Sequence, residues 1–153
     1  MDILIFQING RKLGLELDQI REVIGGRDVT PVPGAPDFIK GLILYRGKAL
    51  PLISPGIRLG DQGRAAGELN RIIITRISGH SIGLVVDRVD DVEAIPPDEI
   101  VHPEEVIREA RYLTGVARVR EKLVLLIDIE KVLTGDEVIS LEEVYRRVKV
   151  KVK

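Results

Sequence analysis

With 153 residues and 44% apolar side chains, the chain can bury the core of one domain, or of two subdomains sharing one core. A formal net charge of -1 argues against electrostatic attraction to nucleic acid or an anionic membrane as its main business. Cysteine is absent, which removes disulfides, thiol nucleophiles and thiolate metal sites. The start, Met1-Asp2-Ile3-Leu4, lacks the basic and apolar regions of a signal peptide. No apolar run approaches the ~20 residues of a membrane span. A cytoplasmic protein without direct membrane insertion is expected. Asn and Gln are scarce beside abundant Glu, Arg and Lys, the balance that suits ion-pair networks at high temperature.

Most segments read as short strands, because β-branched runs alternate with Gly or polar turns. Ile3 to Ile8, a turn at Asn9-Gly10-Arg11-Lys12, and Leu13 to Leu17 form a first hairpin, with Leu13, Leu15 and Leu17 on one face. The Pro-rich stretch Thr30-Pro31-Val32-Pro33-Gly34-Ala35-Pro36 reads as an ordered crossing, since proline fixes φ and removes a donor. A hairpin turning at Arg46-Gly47 follows. Asp61 to Gly67 reads as a flexible loop. Ile72 to Ile77, a turn at Ser78-Gly79-His80-Ser81, and Ile82 to Val86 make another hairpin. Ile95-Pro96-Pro97-Asp98 is a second crossing, and Pro103 to Arg111 is a short helix or a loop. A last hairpin turns at Arg120-Glu121-Lys122. Ser140 with Glu143 reads as a capping box for a helix from about 140 to 149, with Leu141, Val144, Tyr145 and Val148 as its apolar stripe.

The chain repeats itself. Ile8-Asn9-Gly10 through Gly14-Leu15-Glu16-Leu17-Asp18-Gln19-Ile20 to Val23 recurs as Ile77-Ser78-Gly79 through Gly83-Leu84-Val85-Val86-Asp87-Arg88-Val89 to Val92. Gly41-Leu42-Ile43, Arg46, Lys48 and Leu50 to Ile53 recurs as Gly115-Val116-Ala117, Arg120, Lys122 and Val124 to Ile127. An offset of about seventy residues is too long for a solenoid unit and matches a small barrel, so a duplicated subdomain is expected. The expected division is one domain over 1–135, with subdomains of about 1–66 and 67–135. Residues 136–153 form a C-terminal helix and basic tail. Two like halves leave a seam, a natural docking place for another protein.

Catalytic candidates are few. His80 falls in a predicted turn and reads as solvent-exposed. His102-Pro103-Glu104-Glu105 has no second His or carboxylate cluster at ligand spacing. Gly41 to Ala49 fails as a phosphate loop, with one residue too many between its glycines and Ala49 where a hydroxyl must reach the metal. Asp90-Asp91 and Glu104-Glu105 are adjacent in sequence, and strand neighbours point to opposite faces, so neither is a good acid/base pair. No enzyme, metal or cofactor is expected. The basic residues Arg146, Arg147, Lys149, Lys151 and Lys153 keep a nucleic-acid module open as the alternative, although 3% aromatics is thin for base stacking. Arg46, at the tip of an apolar hairpin, is either a solvated turn residue or a five-donor group held for an acidic partner. Ile20 and Val89 fall just after equivalent hairpins and serve either core packing or a shared groove.

Val29-Thr30-Pro31-Val32-Pro33, Pro36, Phe38-Ile39-Lys40-Gly41, Arg46-Gly47-Lys48 and Pro51 together resemble the signature of the CheW adaptor family of chemotaxis. The similarity continues through Gly83 to Val89, Tyr112-Leu113-Thr114-Gly115-Val116 and Leu123 to Lys131. It spans residues 3–135. The resemblance implies a mainly β fold of two SH3-like five-stranded barrels, with short helices and a C-terminal helix. It implies a non-enzymatic adaptor coupling membrane chemoreceptors to the histidine kinase CheA, recruited to receptor arrays. By that resemblance Leu17, Ile20, Val23, Arg46 and Val89 form the groove for the cytoplasmic receptor tip. Glu22 pairs with Arg46 to orient it, as a partly buried ion pair. The kinase regulatory domain would meet the barrel ends. The chain departs from the family at Leu44-Tyr45, where Asn-Leu is usual, and at Ile53-Ser54-Pro55, where Ile-Asp-Leu is usual.

Overall fold

The computed structural model describes residues 1–54, 71–102 and 111–151. The loop at Asp61 to Gly67, the strand end at Pro55-Gly56, Glu104-Glu105 and most of the Pro103 to Arg111 segment lie outside them.

Strands β1 (Asp2–Ile8), β2 (Arg11–Glu16), β3 (Ile20–Gly25), β4 (Ile39–Tyr45) and β5 (Lys48–Ile53) come from the first copy of the repeat. Strands β6 (Arg71–Ile77), β7 (His80–Val86), β8 (Arg88–Ala94), β9 (Ile100–Val101), β10 (Leu113–Val119) and β11 (Lys122–Ile127) come from the second. Helix α1 (Gly135–Lys151) closes the chain. The fold is mainly β, as expected, but the strands form one sheet of six and one of five. The six-stranded order is β8-β1-β2-β11-β10-β9, and the five-stranded order is β3-β6-β7-β5-β4.

These orders show an exchange. The hairpin β1–β2 sits among strands of the second copy, and β6–β7 sits among strands of the first. The registers agree under the repeat. β2 pairs parallel to β11 at Gly14 and Leu126, and β7 pairs parallel to β5 at Gly83 and Leu52. Gly14 and Gly83 are repeat equivalents, and both are forced by close approach. A Cβ on Gly14 would lie 2.6 Å from Ile3, and one on Gly83 would lie 2.6 Å from Leu52. The division at residue 66 therefore describes the duplication in the sequence, not the partition of strands between sheets.

Strand alternation makes three apolar clusters. In β1, Ile3 and Ile5 face the interior of the six-stranded sheet with Ile95, Ile100, Val124 and Leu126. Leu4, Phe6 and Ile8 face a core shared by both sheets, where Leu13, Leu15, Ile73, Ile77, Ile82 and Leu84 meet them. The five-stranded sheet has its own interior, built from Ile24, Ile43, Leu50, Leu52, Ile72 and Ile74.

The expected capping box at Ser140 and Glu143 is replaced by one a helical turn and a half earlier. Thr134 N–H donates to Glu137 Oε1 at 2.9 Å, and Glu137 N–H donates to Thr134 Oγ1 at 3.2 Å. The helix therefore begins at Gly135, and Ser140 turns its hydroxyl to the Asp136 carbonyl inside it. Leu141 and Val144 are buried in the shared core, with Val138 and Tyr145 packed at its margin. The helix packs against β5 of the five-stranded sheet and lends its apolar face to the shared core.

Candidate functional site

The four hairpin turns use left-handed backbone, at Asn9-Gly10, Arg46-Gly47, Ser78-Gly79 and Arg120-Glu121. Arg46, with φ at 50°, is the non-glycine residue at the tip of the β4–β5 turn. Its side chain leaves the apolar strand there and reaches across to β3. Arg46 Nη2 donates to Glu22 Oε2 at 3.1 Å. The Tyr45 hydroxyl donates to the same oxygen. The Arg46 guanidinium carbon stands 5.2 Å from the centroid of the Tyr45 ring.

β3 and β4 are the two edges of the five-stranded sheet, so these contacts join edges that no ladder joins. A single bridge between Thr30 and Leu42 extends the β4 edge on the same side. A bulge in β3 between Ile20 and Glu22 aims the carboxylate, because its extra residue leaves Glu22 opposite Ile74. The bond to Glu22, with desolvation behind it, raises the Tyr45 phenol above its ordinary pKa. The side chains of Arg46 and Glu22 are 74% and 38% exposed. The pair is thus a surface pair, not the partly buried one implied by resemblance. At that exposure the pair is worth about 0–1 kcal/mol, which fits a role in orienting the groove more than in stabilising it.

The remaining groove candidates divide by environment. Leu17 was expected on the strand face with Leu13 and Leu15, but a 3-10 turn over Leu17–Gln19 ends that face first. The Gln19 carbonyl is held there by the buried Thr75 hydroxyl, and Leu17 is carried out to 41% exposure. Ile20 is half-buried against the shared core, and Val23, on the outer face of β3, is 37% exposed. Val89 stands on the other sheet, at the repeat position of Ile20, and is likewise half-buried against the shared core. Glu22 and Arg46 are thus in contact, Leu17 to Val23 form one continuous stretch, and Val89 matches Ile20 across the repeat.

One neighbour of the ion pair and one repeat equivalent of Val23 were missed. Tyr45 was noted as a departure from the family pattern and not as part of the site; its signal was a phenol beside the turn arginine. Val92, 48% exposed on β8, is the repeat equivalent of Val23, and the repeat that ends at both residues already marked it.

Beside Val89, Asp90 gathers Lys12 at 3.1 Å, Arg88 at 3.1 Å and the Gln7 amide at 2.9 Å. Burial pushes its carboxyl up, but the bonds from Gln7 and Lys12 and the two cations outweigh it and hold the pKa below the usual value. The alternation expected for Asp90 and Asp91 is broken: the register shift between Leu4 and Phe6 sets both opposite Ile5 in a bulge, with Asp91 the exposed member.

His80 was expected in open solvent. It is half-buried instead and stacks on Tyr145 of α1 with ring centroids 4.6 Å apart. Tyr145 of the helix thus covers the start of β7 that carries His80. His102 Nδ1 lies 3.0 Å from the Thr114 carbonyl oxygen. Among the described residues no group of three or more His, Cys, Asp or Glu is placed to hold a metal ion, and no helix is long and apolar enough to cross a membrane. The arrangement offers apolar contact around one oriented cation. That is recognition chemistry.

The CheW-like domain family matches residues 2–137. The chain is 31% identical over 145 residues to the chemotaxis protein CheW of Klebsiella aerogenes, covering 94% of this chain and 87% of that one. It is 27% identical over 136 residues to the CheW of Thermotoga maritima, covering 86% and 87%. The crystal structure of the scaffolding protein TtCheW from Thermoanaerobacter tengcongensis superposes with a TM-score of 0.78 at 29% identity, covering 89% of each chain.

Proposed function

The chain belongs to the CheW-like domain family and is a chemotaxis adaptor, and from that premise we propose that it docks the cytoplasmic tip of a chemoreceptor on the surface formed by Leu17, Ile20, Val23, Arg46 and Val89, while coupling it to the regulatory domain of the kinase CheA. The protein works by holding partners, not by catalysis. The observation that carries the docking surface is the Glu22–Arg46 contact at the edge of β3, flanked by exposed Leu17 and Val23. An amphipathic receptor helix meets such a surface with apolar side chains, while the oriented guanidinium fixes its register. The apolar contacts supply affinity and the cation supplies direction, since exposed charge pairs add little net energy.

The carboxylate of Glu22 restrains Arg46 without neutralising its outer donors, because one nitrogen contact leaves the rest of the guanidinium fork facing solvent. The protein sits in the cytoplasm and reaches receptor arrays through these contacts. The nucleic-acid alternative is left without support, because the matching family and the relatives are chemotaxis proteins. The test is co-sedimentation of the protein with a receptor signalling hairpin and the kinase regulatory domain of the same organism. Saturable recovery of all three together is expected, and failure to recover the receptor hairpin would remove the docking surface.

A further inference from the structure

Glu22 Oε2 takes two donors from consecutive residues of one turn, the Tyr45 hydroxyl and Arg46 Nη2. Neighbours on a regular strand would point to opposite faces. Here the left-handed backbone at Arg46 turns the chain, so both side chains reach the same oxygen. The Tyr45 ring also faces the guanidinium from 5.2 Å. Arg46 is therefore restrained twice, by the carboxylate it bonds and by the aromatic face beside it, although its side chain is 74% exposed. An exposed arginine without such restraint samples many rotamers and must be ordered when a partner arrives, a cost that weakens binding. A leucine at position 45 has the bulk to pack there but neither the hydroxyl nor the ring.

We propose that Tyr45 is a positioning residue of the receptor site, fixing the Glu22 carboxylate and the plane of the Arg46 guanidinium before the partner docks. The inference rests on the docking surface of the preceding subsection. The hydroxyl anchors the acceptor, and the ring limits the tilt of the cation. Arg46 then meets the receptor in one orientation, with its remaining N–H donors outward. Replacing the hydroxyl removes the first restraint, and replacing the ring removes both.

The experiment titrates a receptor signalling hairpin into the full-length protein and into its Tyr45→Phe, Tyr45→Leu and Arg46→Glu variants. Relaxation of the Arg46 Nε–H resonance is measured in the free proteins. Tyr45→Phe is expected to bind about three- to tenfold more weakly, Tyr45→Leu more weakly still, and Arg46→Glu not at all. The Arg46 Nε–H becomes more mobile from the wild-type protein to Tyr45→Phe to Tyr45→Leu, while backbone spectra stay superimposable in all the variants. That ordering of side-chain motion separates positioning from a general loss of structure. Wild-type affinity and unchanged Arg46 mobility in Tyr45→Phe, with Arg46→Glu failing to bind, would overturn this inference alone. Failure of the wild-type protein to bind the hairpin would overturn the docking surface and the inference together.

Discussion

Cutting the chain between residues 54 and 71 separates each exchanged hairpin from the sheet it completes. The β1–β2 hairpin alone buries Ile3, Leu4, Ile5, Phe6, Ile8, Leu13 and Leu15, each no more than 6% exposed. At about 2 kcal/mol for each buried side chain, their exposure costs roughly 14 kcal/mol. A compact unfolded chain reduces that by up to about 40%. The remainder still matches the ~5–15 kcal/mol that stabilises a whole domain. Neither fragment holds a complete sheet, because β2 needs β11 and β7 needs β5. The expected result is two unfolded fragments with collapsed amide dispersion in 1H–15N correlation spectra, which recover the intact protein's spectrum when mixed. A dispersed spectrum and cooperative melt from either fragment alone would refute the exchange.

Leu141→Ala removes a fully buried side chain where α1 meets the shared core, and should cost about 2–5 kcal/mol in chemical denaturation. Ile139→Ala, 56% exposed on the same helix, should stay within about 0.5 kcal/mol, and equal effects would show that the helix does not seal the core. Asp90 has a folded-state pKa below its unfolded value near ~3.9, so its contribution is complete above about pH 4 and is lost as pH falls through the folded value. Asp90→Asn should therefore destabilise by about 1–2 kcal/mol at neutral pH and flatten the acid limb of the stability profile. An unchanged acid limb would place the linkage elsewhere.

Much of this architecture is legible in the sequence because duplication prints each signal twice. The turns, the interior glycines Gly14 and Gly83, and the equivalence of Ile20 with Val89 can all be read from the repeat. The exchange of hairpins cannot be read there, because strands of either copy alternate in the same way and fit either sheet. The helix start was misplaced because Ser140-x-x-Glu143 and Thr134-x-x-Glu137 are chemically equal boxes. The reciprocal bonds of Thr134 and Glu137 show which box forms, while Ser140 bonds the Asp136 carbonyl inside the helix. Leu17 was misjudged because alternation does not register the 3-10 turn that ends the strand. The place of Tyr45 beside the turn arginine is legible, but its bond to Glu22 joins opposite sheet edges, and no local pattern encodes that bond.

The measurement that bears most directly on the adaptor account is ternary co-sedimentation with Arg46→Glu beside the wild-type protein. The substitution places a second carboxylate against Glu22 at an exposed turn, where the lost pair is worth only about 0–1 kcal/mol. The variant should stay folded and keep the kinase regulatory domain while losing the receptor hairpin. Full ternary assembly by folded Arg46→Glu protein would contradict the account and move the receptor contact away from this turn.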